Sequence, residues 1–187
     1  MLFDQTGNRK YLTAAERRAF MEAARQAGPL VETFCLTLAY TGARISEVLA
    51  LTPSRIDRSA GVIVFETLKR RKRGVYRAVP VPTPLLERLE AVHALSHAAD
   101  KDERIWRWGR TTAWQNVKLL MQEVGVPASC SMPKALRHAF GVEGTTEANV
   151  PLNMMQKWLG HARIETTAIY ANAVGKEERT IAGRMWK

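Results

Sequence analysis

The chain has 187 residues, of which 46% are hydrophobic, and its formal net charge is +10 with the four histidines counted as neutral. The length and apolar content exclude a disordered chain and predict one domain, or a compact pair, with a substantial core. The excess of lysine and arginine favours a polyanionic partner, most commonly nucleic acid; a basic protein without such a partner is the alternative.

Cysteine usage and hydropathy indicate the compartment. Cys35 and Cys130 are far apart and match no metal spacing, which is typical of a reducing cytosol. The first ten residues are mostly polar, and no apolar run approaches the roughly 20 residues that span a bilayer. We expect a soluble, cytoplasmic protein without a membrane partner or a bound metal.

Helical patterns open the chain. Thr13 and Glu16 match a capping box, so a helix is predicted from there to about Ala27. A second helix is predicted from an apolar stripe at helical spacing, formed by Val31, Phe34, Cys35 and Leu38. Thr41-Gly42 interrupts it, and residues 45–49 predict a short third helix.

The hydrophobic period then changes to that of strands. Residues 61–65 predict a short strand, and residues 67–73 and 76–81 predict a hairpin around Gly74 with a very basic tip. Further helices are predicted over Leu85–Val92, from Trp114 to Val124 with Trp114 in the core, from about Pro133, after Pro151, and over 166–171 and 176–186. The fold class is therefore α+β, mainly α, with one small antiparallel sheet.

Four polar residues indicate chemistry on a phosphodiester. Arg137, His161 and Tyr170 follow one another at intervals of 24 and 9 residues, and Arg44 lies far upstream. The planar guanidinium of arginine donates twice to phosphate oxygens, and cations around the developing charge supply most of the catalysis of phosphoryl transfer. A phenol becomes a useful nucleophile only beside such cations.

Three stretches, CLTLAYTGARISEVLALTPSRID, LRHAF and WLGHARIETTAIYA, resemble the tyrosine recombinases, or phage integrases, over about residues 12–186. The resemblance implies an integrase-type catalytic domain with helices around a three-stranded antiparallel sheet. It implies site-specific recombination of double-stranded DNA through a 3′-phosphotyrosyl intermediate, for integration, inversion or resolution. No metal or other cofactor is implied.

The resemblance assigns roles by position. Arg44 and Arg137 are the two arginines, Glu47 supports the site, His161 is the second imidazole position, and Tyr170 is the nucleophile. The family lysine on the hairpin, which protonates the leaving 5′-oxygen, is Lys69 or, as second choice, Lys72. The basic residues expected to follow the DNA backbone are Arg70, Arg71, Lys72, Arg73 and Arg77; a merely solvated hairpin is the alternative.

One position departs from the family pattern. Lys134 stands where the family usually has histidine, three residues before Arg137. Lysine can donate to a nonbridging oxygen but is a poorer proton acceptor near neutral pH. This lysine resembles the type IB topoisomerases, so DNA relaxation is an alternative function, and a non-catalytic DNA-binding relative is another. His138 is interpreted as structural support.

The expected organisation is a single catalytic domain over 1–187. Only about a dozen residues precede the helix at Thr13, so we expect either a minimal recombinase without the N-terminal core-binding domain or a catalytic fragment. The resemblance implies a tetramer on DNA, with a monomer when free, an accessory or partner recombinase, and a bacterial or phage-type, nucleoid-associated location. The helix over about 176–186, with Ile181, Met185 and Trp186 as anchors, docks on a neighbouring subunit or packs on its own domain.

Overall fold

The computed structural model describes residues 2–67, 74–170 and 183–186. Within these ranges the chain forms helices around one three-stranded antiparallel sheet, so the predicted mainly helical α+β fold is confirmed. The helices are α1 (Ala14–Gln26), α2 (Pro29–Thr41), α3 (Ile45–Leu49), α4 (Thr83–His93), α5 (Arg110–Glu123), α6 (Pro133–Thr146), α7 (Leu152–Leu159) and α8 (Glu165–Ala168). The strands are β1 (Ile56–Asp57), β2 (Val62–Glu66) and β3 (Tyr76–Pro80), and short 3₁₀ turns occupy Pro53–Arg55, Leu95–His97 and Arg184–Trp186.

Helix boundaries follow local signals in the sequence. The predicted capping box is present: the Glu16 amide donates to the Thr13 hydroxyl at 3.2 Å, and the Thr13 amide donates to the Glu16 carboxylate at 2.8 Å. Gly42 and Gly160 end α2 and α7 in the left-handed conformation, with φ of 59° and 67°. Glycine adopts this conformation without a steric penalty, which is why these two helices end where they do.

Two of the predicted strands are present: β2 and β3 correspond to the strands predicted over residues 61–65 and 76–81, whereas β1 was not predicted. β2 pairs with β1 on one side and β3 on the other, with Glu66 opposite Tyr76. Residues 76–80 therefore pair with 62–66 rather than with the predicted strand over 67–73, because Ile63 and Val79 lie opposite each other and are both buried. β1 has only two residues, too few to produce an alternating pattern, and residues 68–73 lie outside the described residues.

The main core surrounds α2, which contacts α1, α4 and α6. Three threonines at four-residue spacing lie in this buried helix, and their hydroxyls donate back to carbonyls of the preceding turn at 2.6–3.0 Å. These bonds satisfy the hydroxyl donors of all three buried residues, Thr33, Thr37 and Thr41. The core thus holds the C-terminal end of α2 firmly in place beside α6.

Two expectations are corrected, and a third concerns residues that lie mainly outside the described ranges. Trp114 was expected in the core but is 38% exposed, and the Lys118 ammonium lies over its ring, because α5 turns Ala113, Val117 and Met121 inward instead. Tyr170 was expected within a helix but lies in the turn after α8, where its amide donates to the Thr167 carbonyl. The helix predicted over 176–186 falls mainly outside the described residues, as does Ile181, while Met185 and Trp186 are exposed.

Among the described helices, each is too short or too polar to cross a bilayer.

Candidate active site

Arg44 lies two residues after Gly42, the residue that ends α2. It is the N-cap residue of α3, and its backbone amide and Nη1 donate to the Glu47 carboxylate at 2.9 and 2.8 Å. The side chain of Glu47 is buried, whereas that of Arg44 is 28% exposed. The carboxylate therefore fixes the direction of the guanidinium while part of that guanidinium remains open to solvent.

Arg77 supports the same carboxylate from the sheet, which corrects the predicted DNA contact. Its Nη2 donates to Glu47 at 2.7 Å, its Nε to the Trp158 carbonyl at 2.7 Å and its Nη1 to the Thr67 hydroxyl at 3.2 Å. The alternation of β3 turns this side chain inward, where only 4% of it is exposed. Its donors are thus directed to protein groups rather than to solvent.

Glu47 is ionised in this arrangement. Burial by itself raises the pKa of the carboxyl, but the charge of Arg77, the hydrogen bond from Arg77 and the hydrogen bond from the Arg44 amide together bring the pKa below its ordinary value. A buried carboxylate with a low pKa is a stable anchor for two cationic side chains.

Arg137 is oriented by backbone carbonyls from two other elements. From α6 its Nη1 donates to the Gly42 carbonyl at 2.9 Å and its Nη2 to the Leu159 carbonyl at 2.7 Å. These bonds use two of the five N–H donors of an arginine, so the others remain available for a ligand. Burial, and then the charge of Arg44, lower the pKa of Arg137 to about 10, so the guanidinium stays protonated at neutral pH.

The C-terminal end of α7 accepts hydrogen bonds from both buried arginines, Arg77 and Arg137. The carbonyls of Trp158 and Leu159 belong to the last turn of the helix, which has no intrahelical donors for them, and they accept from Arg77 and Arg137. The cations also complement the negative end of the helix dipole. A β-carbon on Gly160 would stand 3.0–3.1 Å from the Arg77 side chain, so glycine also permits the close approach.

His161 follows this helix end directly. Its Nδ1 lies 2.8 Å from the hydroxyl of the buried Thr167, and its ring stacks on that of Tyr170 with 6.1 Å between centroids. Burial, and then the charges of Arg137 and Arg44, lower the pKa of His161 to about 3, so the imidazole is neutral at neutral pH. Thr167, the second residue of the TT pair in the motif, was not predicted as a site residue.

Tyr170 is 1% exposed and lies in a narrow slot. Leu2, Met155 and Leu159 form an apolar cluster with it, and a β-carbon on Gly141 would stand 2.6 Å from its ring. Only glycine at that position of α6 leaves room for the ring. Burial raises the pKa of the phenol above its ordinary value, and the positive charges of Arg137 and Arg44 oppose that rise.

The hydroxyl of Tyr170 is paired with His138. The Nδ1 of this imidazole lies 3.2 Å from the phenolic oxygen, and both side chains are buried. Burial, and then the charges of Lys134 and Arg137, lower the pKa of His138 to about 4. Lys134 itself is exposed, one helical turn before Arg137 and His138 on α6.

The remaining candidate residues belong to the predicted basic hairpin tip. Both candidates for the leaving-group acid and four of the predicted DNA contacts lie outside the described residues, namely Lys69, Arg70, Arg71, Lys72 and Arg73.

The structure thus brings Arg44, Arg137, His161 and Tyr170 together at adjoining helix ends. The charges of the two arginines reach both His161 and Tyr170 strongly enough to alter their pKa values, and the two rings stack. Two cations, a neutral imidazole and a phenol are the kinds of group that can hold a phosphodiester and attack it. Within the described ranges, no group of three histidine, cysteine, aspartate or glutamate side chains is arranged to hold a metal ion.

The Phage integrase family matches residues 10–177, and the chain belongs to that family. The resemblance noted from the sequence is therefore confirmed.

Similar proteins bear names consistent with this family. The chain is 31% identical over 182 residues to tyrosine recombinase XerD of Mycobacterium leprae, covering 86% of this chain and 56% of that protein. It is also 31% identical over 172 residues to the type 1 fimbriae regulatory protein FimE of Escherichia coli K12, covering 87% of this chain and 85% of that protein. The chain thus spans about half the length of the XerD relative.

Solved structures show the same fold. The crystal structure of XerA recombinase matches with a TM-score of 0.77 and 24% identity, covering 94% of this chain and 64% of that one. XerH recombinase bound to its difH substrate before cleavage matches with a TM-score of 0.76 and 18% identity, covering 99% and 60% respectively. At these identities the likeness concerns the fold alone.

Proposed function

We propose that this chain is the catalytic domain of a tyrosine-type site-specific DNA recombinase. Tyr170 attacks the scissile phosphorus, forming a tyrosyl O–P bond as the P–O5′ bond breaks, so that a 3′-phosphotyrosyl link and a 5′-hydroxyl result. The observation that carries the proposal is the gathering of Arg44, Arg137 and His161 around a single tyrosine in a chain of this family.

In this mechanism the cations act on the nonbridging phosphate oxygens. Arg137 has donors left after its two bonds to carbonyls, and Arg44 has an exposed portion, so both can approach a phosphate. Neutral His161 adds a hydrogen bond, while Glu47 and Arg77 act only by positioning Arg44. Lys69 or Lys72 would return a proton to the leaving 5′-oxygen, and these two remain predictions from the sequence.

DNA is the proposed partner on electrostatic grounds. The net charge of +10 supplies affinity for a polyanion independent of base sequence, and XerH, which has this fold, was solved on its DNA substrate. Recombination joins two duplexes, so we further propose that four copies act together on DNA. Action with a partner recombinase belongs to the same proposal.

Relaxation of DNA by the same chemistry is a second candidate. Lys134 supports it, because this exposed lysine lies one helical turn from Arg137, where the recombinases usually have histidine. Both functions share the covalent step and differ in whether two duplexes are joined.

The covalent step is tested with trapping substrates. A library of random-sequence duplexes, each nicked near its centre, is incubated with the protein; a fragment with a free 5′-hydroxyl then diffuses away and the adduct accumulates. We expect a detergent-resistant 3′ adduct that Tyr170→Phe abolishes and that Tyr76→Phe, a change at an exposed tyrosine, retains. Sequencing the trapped ends identifies the preferred site.

Supercoiled plasmid distinguishes recombination from topoisomerase-like relaxation. Recombinant products from two copies of the trapped site support the recombinase, whereas relaxation without recombinants supports the topoisomerase-like function. If neither the library nor the plasmid yields an adduct, both proposals are rejected.

A further inference from the structure

The hydroxyl of Tyr170 is hydrogen-bonded to a histidine rather than to one of the groups that would bind a phosphate. Within the described part of the chain its one side-chain partner is the Nδ1 of His138, at 3.2 Å, and the guanidinium of Arg137 donates instead to two backbone carbonyls. With 1% of its surface exposed, the tyrosine is also out of reach of a phosphate in duplex DNA. In the observed position the phenol is therefore withdrawn from solvent and bound to His138.

The hydrogen-bonding capacity of His138 indicates whether its Nδ1 or the phenolic oxygen of Tyr170 is the donor in the bond between them. Its Nε2 is buried and has no partner among the described residues. If Nδ1 carried the proton, both the phenolic O–H and the Nε2 lone pair would be unpaired. If Nε2 carries it, the phenol donates to Nδ1 and a single N–H is left unpaired. Since each buried unpaired group costs free energy, the second arrangement is favoured.

The slot reinforces this bond. The ring of Tyr170 lies against the backbone of Gly141, stacks on His161, and is enclosed by Leu2 and Met155. Because only 1% of Tyr170 is exposed, a hydroxyl that loses its partner here would remain a buried, unpaired donor. One hydrogen bond thus decides whether the buried position is favourable.

We propose that His138 is a positioning residue that holds Tyr170 in this withdrawn position, and that engagement of DNA must exchange the His138 bond for contacts with the phosphate. The proposal rests on the proposed function in that Tyr170 is the nucleophile. It gives His138, one residue after Arg137 on α6, a defined effect on the reacting atom. The free protein is thereby kept from using its nucleophile prematurely.

Chemical nitration of tyrosine tests the position without DNA. The protein is treated with tetranitromethane, and nitration of each tyrosine is followed by mass spectrometry of peptides, with exposed Tyr76 as internal reference. We expect Tyr170 to react slowly in the native protein. His138→Leu and His138→Gln, which remove the acceptor at the Nδ1 position, should raise its rate relative to Tyr76 by about tenfold, the effect of one buried hydrogen bond.

Two further variants separate a specific bond from general loosening of α6. His138→Asn places an amide oxygen near the Nδ1 position and should keep Tyr170 protected. Thr146→Val removes another side-chain bond of α6, the 2.8 Å bond to the Val142 carbonyl, and should also leave Tyr170 protected. Thermal unfolding of each variant verifies that it is folded. Rapid nitration of Tyr170 in the native protein, or equal rates in the Asn, Gln and Leu variants, overturns the proposal.

The nicked-duplex library supplies the second readout. A positioning role predicts that His138→Leu forms the covalent adduct at least as fast as the native protein, whereas a loss of about a hundredfold, as for removal of a proton acceptor, overturns it. Absence of any adduct in the native protein rejects the proposed function while the nitration result still stands on its own.

Discussion

The carboxylate of Glu47 and the guanidinium of Arg77 meet at 2.7 Å, with both side chains withdrawn from solvent. The same carboxylate binds Arg44, the partly exposed arginine of the candidate site. A strand residue thereby controls the position of a helix-cap residue 33 places earlier in the chain. Removal of this carboxylate would leave a buried cation unpaired and the exposed one unsupported.

Glu47→Ala should lower the free energy of unfolding by about 3–5 kcal/mol, because Arg77 loses its charge partner in the interior. Urea denaturation at neutral pH measures the loss. Glu103→Ala breaks an exposed pair with Arg107 and is the matched control, with an expected loss below about 1 kcal/mol. Similar losses in the two variants would show that the buried pair has no special role.

Stability should decline in mild acid because of His138 and His161. Their pKa values in the folded protein are about 4 and about 3, below the ordinary 6.5, so between pH 6.5 and 4 the unfolded chain binds more protons than the folded one. Each histidine should therefore remove about 1.4 kcal/mol per pH unit as the pH falls through this range. Urea denaturation across the range measures the slope.

Substitution of each histidine tests whether it causes this change of the free energy of unfolding with pH. His138→Asn and His161→Asn should each flatten the dependence on pH, whereas His97→Asn, at an exposed position, should leave it unchanged. Identical slopes in all four proteins would contradict the prediction.

Gly141→Ala should destabilise the protein although alanine favours helix. The added β-carbon would stand 2.6 Å from the Tyr170 ring, and overpacking of this kind costs about 1–3 kcal/mol. Thermal unfolding measures the change. Gly183→Ala, where a β-carbon meets nothing within 4 Å, is the control and should change stability far less. A Gly141→Ala protein as stable as the native one would mean that the slot is not tightly packed.

Lys134 should act as a cation rather than as a proton acceptor. Lys134→Met is then expected to slow formation of the covalent adduct by about 10²-fold. In Lys134→His, the rate should rise as the pH falls through about 6.5, where the imidazole becomes charged. Single-turnover rates on a trapped substrate across pH measure both effects, and a rate that falls with acid would instead identify this position as a proton acceptor.

Adduct formation should persist in excess EDTA. The proposed clamp consists of Arg44 and Arg137, which carry the positive charge that a divalent ion would otherwise supply. Trapping reactions with and without the chelator measure the effect, and a magnesium-dependent nuclease in the same buffer verifies chelation. Loss of the adduct on chelation, restored by added magnesium, would contradict a metal-independent mechanism.

Local signals in the sequence predicted most of the helical framework. The capping box at Thr13 and the glycines at 42 and 160 set helix ends, because caps and left-handed turns depend on a few neighbouring residues. The sheet was less predictable, since β1 is too short for periodicity and the choice of partner for β3 depends on which faces are buried. The integrase motifs indicated the site residues through their order and spacing.

By itself, then, the sequence determined the family, the fold class and the candidates Arg44, Arg137, His161 and Tyr170, all from patterns that are local or ordered along the chain. Only the tertiary structure decided what each candidate contacts. It turned Arg77 inward onto Glu47, and it paired Tyr170 with His138 across a slot that Gly141 leaves open. Such contacts join residues about 30 positions apart, and they depend on which helix faces pack together, a choice made by the whole core.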